Sequence, residues 1–204
     1  MTSSSVIEDV QRIRATGSVS LAYYYFDFKD VRKQGRRGLL SSLLIQLCPR
    51  SRHGYDILSN LIATHDIGLR EPDDTDLIRC LKVVLTLPGR EKKFIVVDGL
   101  DECSNPPGFP KPARQEVLDL LKELVSLDLP DLRICVTSRP EIEIKNSLEP
   151  LTSHQMSLHD ESGQREAVLD YIRSFIQTDR QMQKWRSEDK QLTFDILSGK
   201  AGGM

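Results

Sequence analysis

Asp98, Asp101 and Glu102 follow directly on the apolar run Phe94-Ile95-Val96-Val97. Carboxylates at such spacing offer hard oxygen donors. Their common chemistry is to hold a cation such as Mg²⁺, with water and phosphate oxygens completing its shell. Asp98, the first acid past the run, is the expected metal contact, directly or through water. Asp101 or Glu102 would then accept a proton from a water attacking a γ-phosphate, or orient that water. Gly99 stands between them and leaves room for close approach of a phosphate or a backbone. Arg139 closes a second apolar stretch, Leu132-Arg133-Ile134-Cys135-Val136, with Thr137 and Ser138 intervening. A guanidinium fixed at a strand terminus can bind a γ-phosphate. For the acids a solvated loop is the lesser alternative, because the apolar run before them makes the pattern moderately specific; an arginine before proline, taken alone, reads as a surface residue. Both features in one chain favour the site. His154 and His159 have no acid or cysteine at metal-ligand spacing. Ser138 lacks the Gly-x-Ser-x-Gly setting of a hydrolase nucleophile.

These residues need strands to carry them. A continuous apolar run, rather than an alternating one, marks a parallel strand covered on both faces. Ligands of open α/β sheets bind beyond the carboxyl ends of such strands. The run ending at Val97, and the stretch Leu132 to Pro140 with its polar end, therefore read as buried parallel strands. Ser18 to Phe28, with three successive tyrosines, reads as another, its rings packing residues rather than base-stacking ones. Helical spacing of apolar residues appears over Ser4 to Ile13, at Leu40, Leu43, Leu44 and Leu47, and over Tyr55 to Ile62. It recurs at Leu77, Cys80, Leu81, Val84 and Leu85, where Asp73 to Thr75 supply cap candidates, and at Val117, Leu120, Leu121, Leu124 and Val125. Val168, Tyr171, Ile172, Phe175 and Ile176 mark a further helix, and Leu192 to Leu197 another. Ser104 to Pro112 reads as a proline-rich surface loop and Gln155 to Leu158 as a short strand. Arg32, Lys33, Arg36 and Arg37 read as a solvated loop and helix start. Approach of Arg36 or Arg37 to a phosphate is the lesser alternative. Strands alternating with helices imply an α/β protein with a parallel sheet and helices on both faces.

Bulk properties bound the function. The chain has 204 residues, 39% of them hydrophobic and 28% charged, with a net charge of −2. That is an ordinary globular composition. It provides no overall electrostatic pull toward nucleic acid or an anionic membrane. No apolar stretch approaches the roughly 18 residues of a membrane span, and Met1-Thr2-Ser3-Ser4-Ser5 lacks a signal-peptide pattern. Cys48, Cys80, Cys103 and Cys135 are widely spaced, with no Cys-x-x-Cys pair. Reduced thiols in a cytoplasmic protein are the expectation.

Together these residues resemble the NACHT family of signalling NTPases, and more narrowly the nephrocystin-type modules of large fungal receptor-like proteins. Ile95 to Cys103 resembles that family's Walker B strand, and Cys135 to Pro140 its sensor strand. Leu21 to Phe28 with Arg37 to Leu44 resembles its second strand and following helix, and Leu197 to Met204 the start of its helical region. The resemblance implies a three-layer P-loop NTPase-like α/β fold. It implies a partial core over residues 1–160 and the start of a helical domain over 161–204. It also implies ATP or GTP with Mg²⁺ as cofactors and a nucleotide-controlled signalling switch. Asp98 would be the metal and cofactor contact, Arg139 a cofactor contact, and Asp101 and Glu102 the catalytic acids. The family's phosphate loop, Gly-x-x-x-x-Gly-Lys-Ser/Thr, has no counterpart in these 204 residues: the only Gly-Lys pair, Gly199-Lys200, has Phe194 where the first glycine belongs. In the family that loop opens the helix corresponding to Ser3 to Ile13. The chain thus reads as a fragment that lacks the phosphate-loop strand and binds nucleotide weakly or not at all. The alternative from another class is a non-catalytic interaction or assembly module that keeps the fold. A Mg²⁺-dependent phosphotransferase of another kind ranks third. Without the phosphate-loop strand, Arg133 to Ser138 would become an unprotected edge or face a gap, inviting self-association. Poor solubility of the chain alone follows, to be checked by sedimentation. A monodisperse, cooperatively melting monomer would contradict it.

Overall fold

A computed structural model describes residues 3–14, 19–65, 70–88, 91–103, 112–156, 162–179 and 182–201. The chain divides into two compact units, Met1–Ser153 and His154–Met204. The first is an α/β unit with a three-stranded parallel sheet in the order β1 (Val19–Tyr25), β2 (Lys92–Asp98), β3 (Leu132–Val136). Its helices are α1 (Ser3–Arg14), α2 (Arg36–Leu47), α3 (Arg52–Thr64), α4 (Asp74–Thr86), α5 (Ala113–Val125) and α6 (Ile142–Leu148).

The middle strand has neighbours on both edges and cover on both faces. Ala22, Ile95 and Ile134 lie abreast, and so do Tyr24, Val97 and Val136. These residues join one large core with Leu40, Leu43 and Leu44 of α2, Leu81 and Leu85 of α4, and Leu120, Leu121 and Leu124 of α5. The alternate residues Leu21 and Val96 face the other way and pack with Ile7 and Val10 of α1. Ile95, Val96 and Val97 are almost fully buried. Each such aliphatic side chain contributes about 1.5–3 kcal/mol by leaving water. The three-layer arrangement expected from the apolar runs is therefore present.

Local chemistry sets the helix starts. Asp73 caps α4 by accepting the Asp76 N–H at 2.8 Å. Ser51 caps α3 by accepting the Gly54 N–H at 3.0 Å. Asp76 also receives His65 Nε2 at 3.1 Å and Arg79 at 2.6 Å. Arg36 and Arg37 open α2, and their guanidiniums are held by acids: Arg36 by Asp74 at 2.9 Å, Arg37 by Glu71 at 2.8 Å and Asp74 at 3.3 Å. They tie α2 to the start of α4.

Three sequence expectations shift. The first strand ends at Tyr25 rather than Phe28, although the Phe26 N–H still reaches Asp98 O at 3.0 Å. The helix α6 had no periodic signal, because only Ile144 of its seven residues is buried. Gln155 and Met156 are not in a strand, while Ser157 and Leu158 lie outside the described residues, as do Ser104 to Lys111 of the proline-rich loop and His159. The second unit contains α7 (Ser162–Thr178) and α8 (Ser187–Ala201), which pack on each other. Within it the Arg173 guanidinium lies 5.1 Å from the Phe194 ring centroid. Among the described residues no helix is long and apolar enough to cross a membrane.

The outer edge of β1 is occupied by a side chain. Gln46 Oε1 accepts the Tyr23 N–H at 3.2 Å, and Gln46 Nε2 donates to Tyr23 O at 2.8 Å. The amide of Gln46 thus takes the place of a neighbouring peptide group at mid-strand. Gln46→Leu is expected to lower the unfolding free energy by roughly 1–3 kcal/mol, the cost of leaving partly buried polar groups unpaired. Urea denaturation checks this, and an unchanged midpoint would contradict it.

Candidate functional site

The carboxyl ends of β2 and β3 bring Asp98, Gly99, Asp101, Glu102, Thr137 and Arg139 into one region. Strand β2 ends at Asp98, and Gly99 turns the chain with φ 67° and ψ 42°. A side chain there would have space, since the nearest atoms to a Cβ lie 3.6 Å or more away. The left-handed conformation is what favours glycine. A single 3-10 turn follows, Leu100–Glu102, pinned by the buried Leu100.

Thr137 joins the two strand ends. Its hydroxyl donates to Asp98 Oδ1 and accepts the Gly99 N–H at 3.2 Å. Its backbone continues the ladder, donating to Val97 O at 2.9 Å and accepting from Leu100 N at 3.0 Å. Asp98 is half-buried, and its Oδ2 has no hydrogen-bond partner among the described residues.

Asp101 is held differently. Its side chain is only 11% exposed, and its Oδ1 accepts the Arg139 N–H at 3.0 Å while Oδ2 meets Arg139 Nε at 3.4 Å. Arg139 itself is 83% exposed, so the ion pair adds little by Coulomb attraction alone. Its effect is to fix the segment after β3 against the turn after β2. Glu102 Oε2 accepts the Phe28 N–H at 3.4 Å, linking the same turn to the end of β1. The two candidate acids thus already bond to backbone N–H groups of neighbouring segments.

Arg114, at the start of α5, supports the turn from behind. It donates to Asp101 O at 2.7 Å and to Cys103 O at 3.2 Å, and pairs with Glu141 and, at 3.7 Å, with Glu143. Sequence reasoning did not single it out, because a lone arginine after a proline-rich stretch carries no local signal for contacts of this kind. Thr137 was also passed over as a site residue, although its place directly after the apolar run was the available clue. Cys103 is buried, donates its Sγ–H to Gln34 O at 3.0 Å, and is pushed up to about 12 by that burial. It is an inert packing thiol at neutral pH. Among the described residues no group of three or more His, Cys, Asp or Glu side chains is arranged to hold a metal ion.

Residues 1–139 match the family model described as Nephrocystin 3, N-terminal. The chain belongs to the nephrocystin 3 N-terminal family. No curated protein and no solved structure matches it. The matched stretch contains the whole sheet of this nephrocystin 3 N-terminal chain and all four of Asp98, Asp101, Glu102 and Arg139. It stops before α6 and the second unit.

Removing the Thr137 hydroxyl is the cleanest probe of this region. Thr137→Val keeps the shape, leaves the Gly99 N–H without its acceptor and deprives Asp98 of a donor. A loss of roughly 1–3 kcal/mol in denaturant unfolding is expected, and Thr137→Ser is expected to recover most of it. Equal stability of wild type and Thr137→Val would contradict the bridging role.

Proposed function

We propose that this chain is part of a nucleotide-responsive signalling switch of the NACHT type, cytoplasmic, with its nucleotide side at the carboxyl ends of β2 and β3. The observation that carries the reading is the convergence there of Asp98, Thr137 and the Asp101–Arg139 pair. It is the placement at which open parallel sheets bind phosphorylated ligands. The residues fit Mg²⁺ of the kind held by one carboxylate, with waters and phosphate oxygens filling its other positions. Asp98 would contact the ion through Oδ2, and Thr137 would keep the carboxylate oriented. When bound, Mg²⁺ would neutralise charge on the β- and γ-phosphates of ATP or GTP. Arg139 has donors to spare beyond Asp101 and would contact a phosphate. Asp101 and Glu102 would orient or deprotonate a water only after exchanging their present backbone partners. In this reading residues 161–204 begin the family's helical region.

With no phosphate loop within the 204 residues, backbone N–H groups of the kind that cradle a triphosphate are not supplied by that motif. Binding by this chain alone is expected to be weak. A specific observation also favours the second reading, a non-catalytic assembly module: Asp101 and Glu102 are already engaged in holding segments together.

Calorimetric titration with Mg²⁺–ATP and Mg²⁺–GTP separates the two. The switch reading expects a dissociation constant of about 1 mM or weaker, near −4 kcal/mol, dependent on Mg²⁺ and lost in Asp98→Asn. Micromolar binding would contradict the phosphate-loop deficiency. Weak binding indifferent to Mg²⁺ and to Asp98→Asn, or none, would favour the assembly module.

A further inference from the structure

The three consecutive tyrosines of β1 do not serve alike. Tyr24 is buried in the main core, and its hydroxyl donates to Arg32 O at 3.4 Å. Tyr23 packs on the opposite face with Ile7, Val10 and Val96. Packing accounts for these two rings and leaves the third. Tyr25 belongs to neither core and is 37% exposed. Its hydroxyl has no hydrogen-bond partner among the described residues.

The register says where that ring stands. In the β1–β2 ladder Tyr23 is abreast of Val96, and Tyr25 is abreast of Asp98. In the β2–β3 ladder Val96 is abreast of Cys135, and the ladder runs one step further as the Thr137 N–H donates to Val97 O at 2.9 Å. Side chains two residues apart share a face. Leu21, Tyr23, Val96 and Cys135 mark the face that packs on α1. Tyr25, Asp98 and Thr137 are the next row on that face, one step toward the carboxyl ends. Two contacts fit the row: Thr137 Oγ1 donates to Asp98 Oδ1, and the Tyr25 ring meets the Tyr23 ring edge-on at 5.7 Å between centroids. Neighbouring strands lie about 4.8 Å apart, so Tyr25 leaves the backbone directly beside Asp98. The apolar α1 face thus ends in a phenol, a carboxylate and a hydroxyl. The open polar groups of the row are Asp98 Oδ2 and the Tyr25 hydroxyl, whereas Asp101 and Glu102 bond to backbone N–H groups of other segments.

We propose that Tyr25 is a further binding residue of this site. The proposal rests on the Mg²⁺–nucleotide reading above and says on which side of the sheet end the ligand lies. Ion and phosphates meet the α1 face, and the Tyr25 hydroxyl donates to an oxygen of the terminal phosphate beside the ion held by Asp98. A phenol is a neutral donor. It can bond a phosphate oxygen without competing with the carboxylate for the cation.

The test uses the full chain and terbium(III), an oxygen-seeking ion whose emission is sensitised by a nearby tyrosine ring. On tyrosine excitation, a component of terbium emission is expected that disappears in Asp98→Asn. Most of that component is expected to be lost in Tyr25→Phe and none of it in Tyr55→Phe, which alters an exposed ring of α3. Mg²⁺–ATP binding, followed by amide chemical shifts, is expected to weaken roughly threefold to tenfold in Tyr25→Phe, the effect of one lost hydrogen bond. The urea midpoint of Tyr25→Phe is expected to match wild type, since the hydroxyl bonds to no described residue. An Asp98-dependent terbium signal indifferent to Tyr25→Phe, or Mg²⁺–ATP binding unchanged in that variant, would overturn the proposal and leave the nucleotide reading standing. Terbium emission indifferent to Asp98→Asn, or no Mg²⁺–ATP binding at all, would overturn the nucleotide reading and the proposal with it.

Discussion

Enclosing β2 on both faces and along both edges is the constraint from which the rest of the unit follows. Ile95, Val96 and Val97 are buried almost completely, and their backbone groups are satisfied only if strands lie on either side. That need draws β1 and β3 into parallel register. The two faces then require separate layers, α1 on one and α2, α4 and α5 on the other. A register slip of one residue would exchange the two sets of side chains. The packing therefore also fixes where each strand ends, and with it the position of Asp98 beside Thr137.

What stands at the strand ends is a braced set of polar groups rather than a ring of free acids. Thr137 holds Asp98 and the Gly99 N–H, Asp101 holds the Arg139 backbone and guanidinium, and Glu102 reaches Phe28. Arg114 fixes the turn from the α5 side. Apart from those of Arg114, these bonds join segments far apart in sequence. The same side chains that could meet a ligand thus also maintain the alignment of three strand ends. A ligand that engages Arg139 or Glu102 would compete with those bonds, and so would be felt in the segments they hold.

Much of this was legible in the sequence because burial writes itself as pattern. The runs Phe94–Val97 and Leu132–Val136 gave strands, and the leucine spacing in α2, α4 and α5 gave helices. The acids after Val97 and the arginine after Val136 were placed at one sheet end by topology alone. What escaped was carried by polar side chains acting across the fold. Gln46 and Arg114 look like any surface residue until their partners at Tyr23, Asp101 and Cys103 are known. The seven residues of α6 bury a single isoleucine, too little for a period to show. The strand β3 read as buried on both faces, yet Arg133 is exposed and its neighbours are half-buried, because among the described residues the strand has a neighbour on one side only.

In the free chain the strand ends are held by side-chain clamps. Amide hydrogen exchange at Gly99 and Arg139 tests this most directly. Both amides lie outside the strands, and each is bonded to a side chain, Thr137 Oγ1 and Asp101 Oδ1 respectively. Exchange is expected to be slowed well below the rate of an open loop at both positions, with the Arg139 amide released in Asp101→Ala and the Gly99 amide in Thr137→Val. Exchange at unprotected rates at Gly99 and Arg139 in the wild-type chain would contradict it.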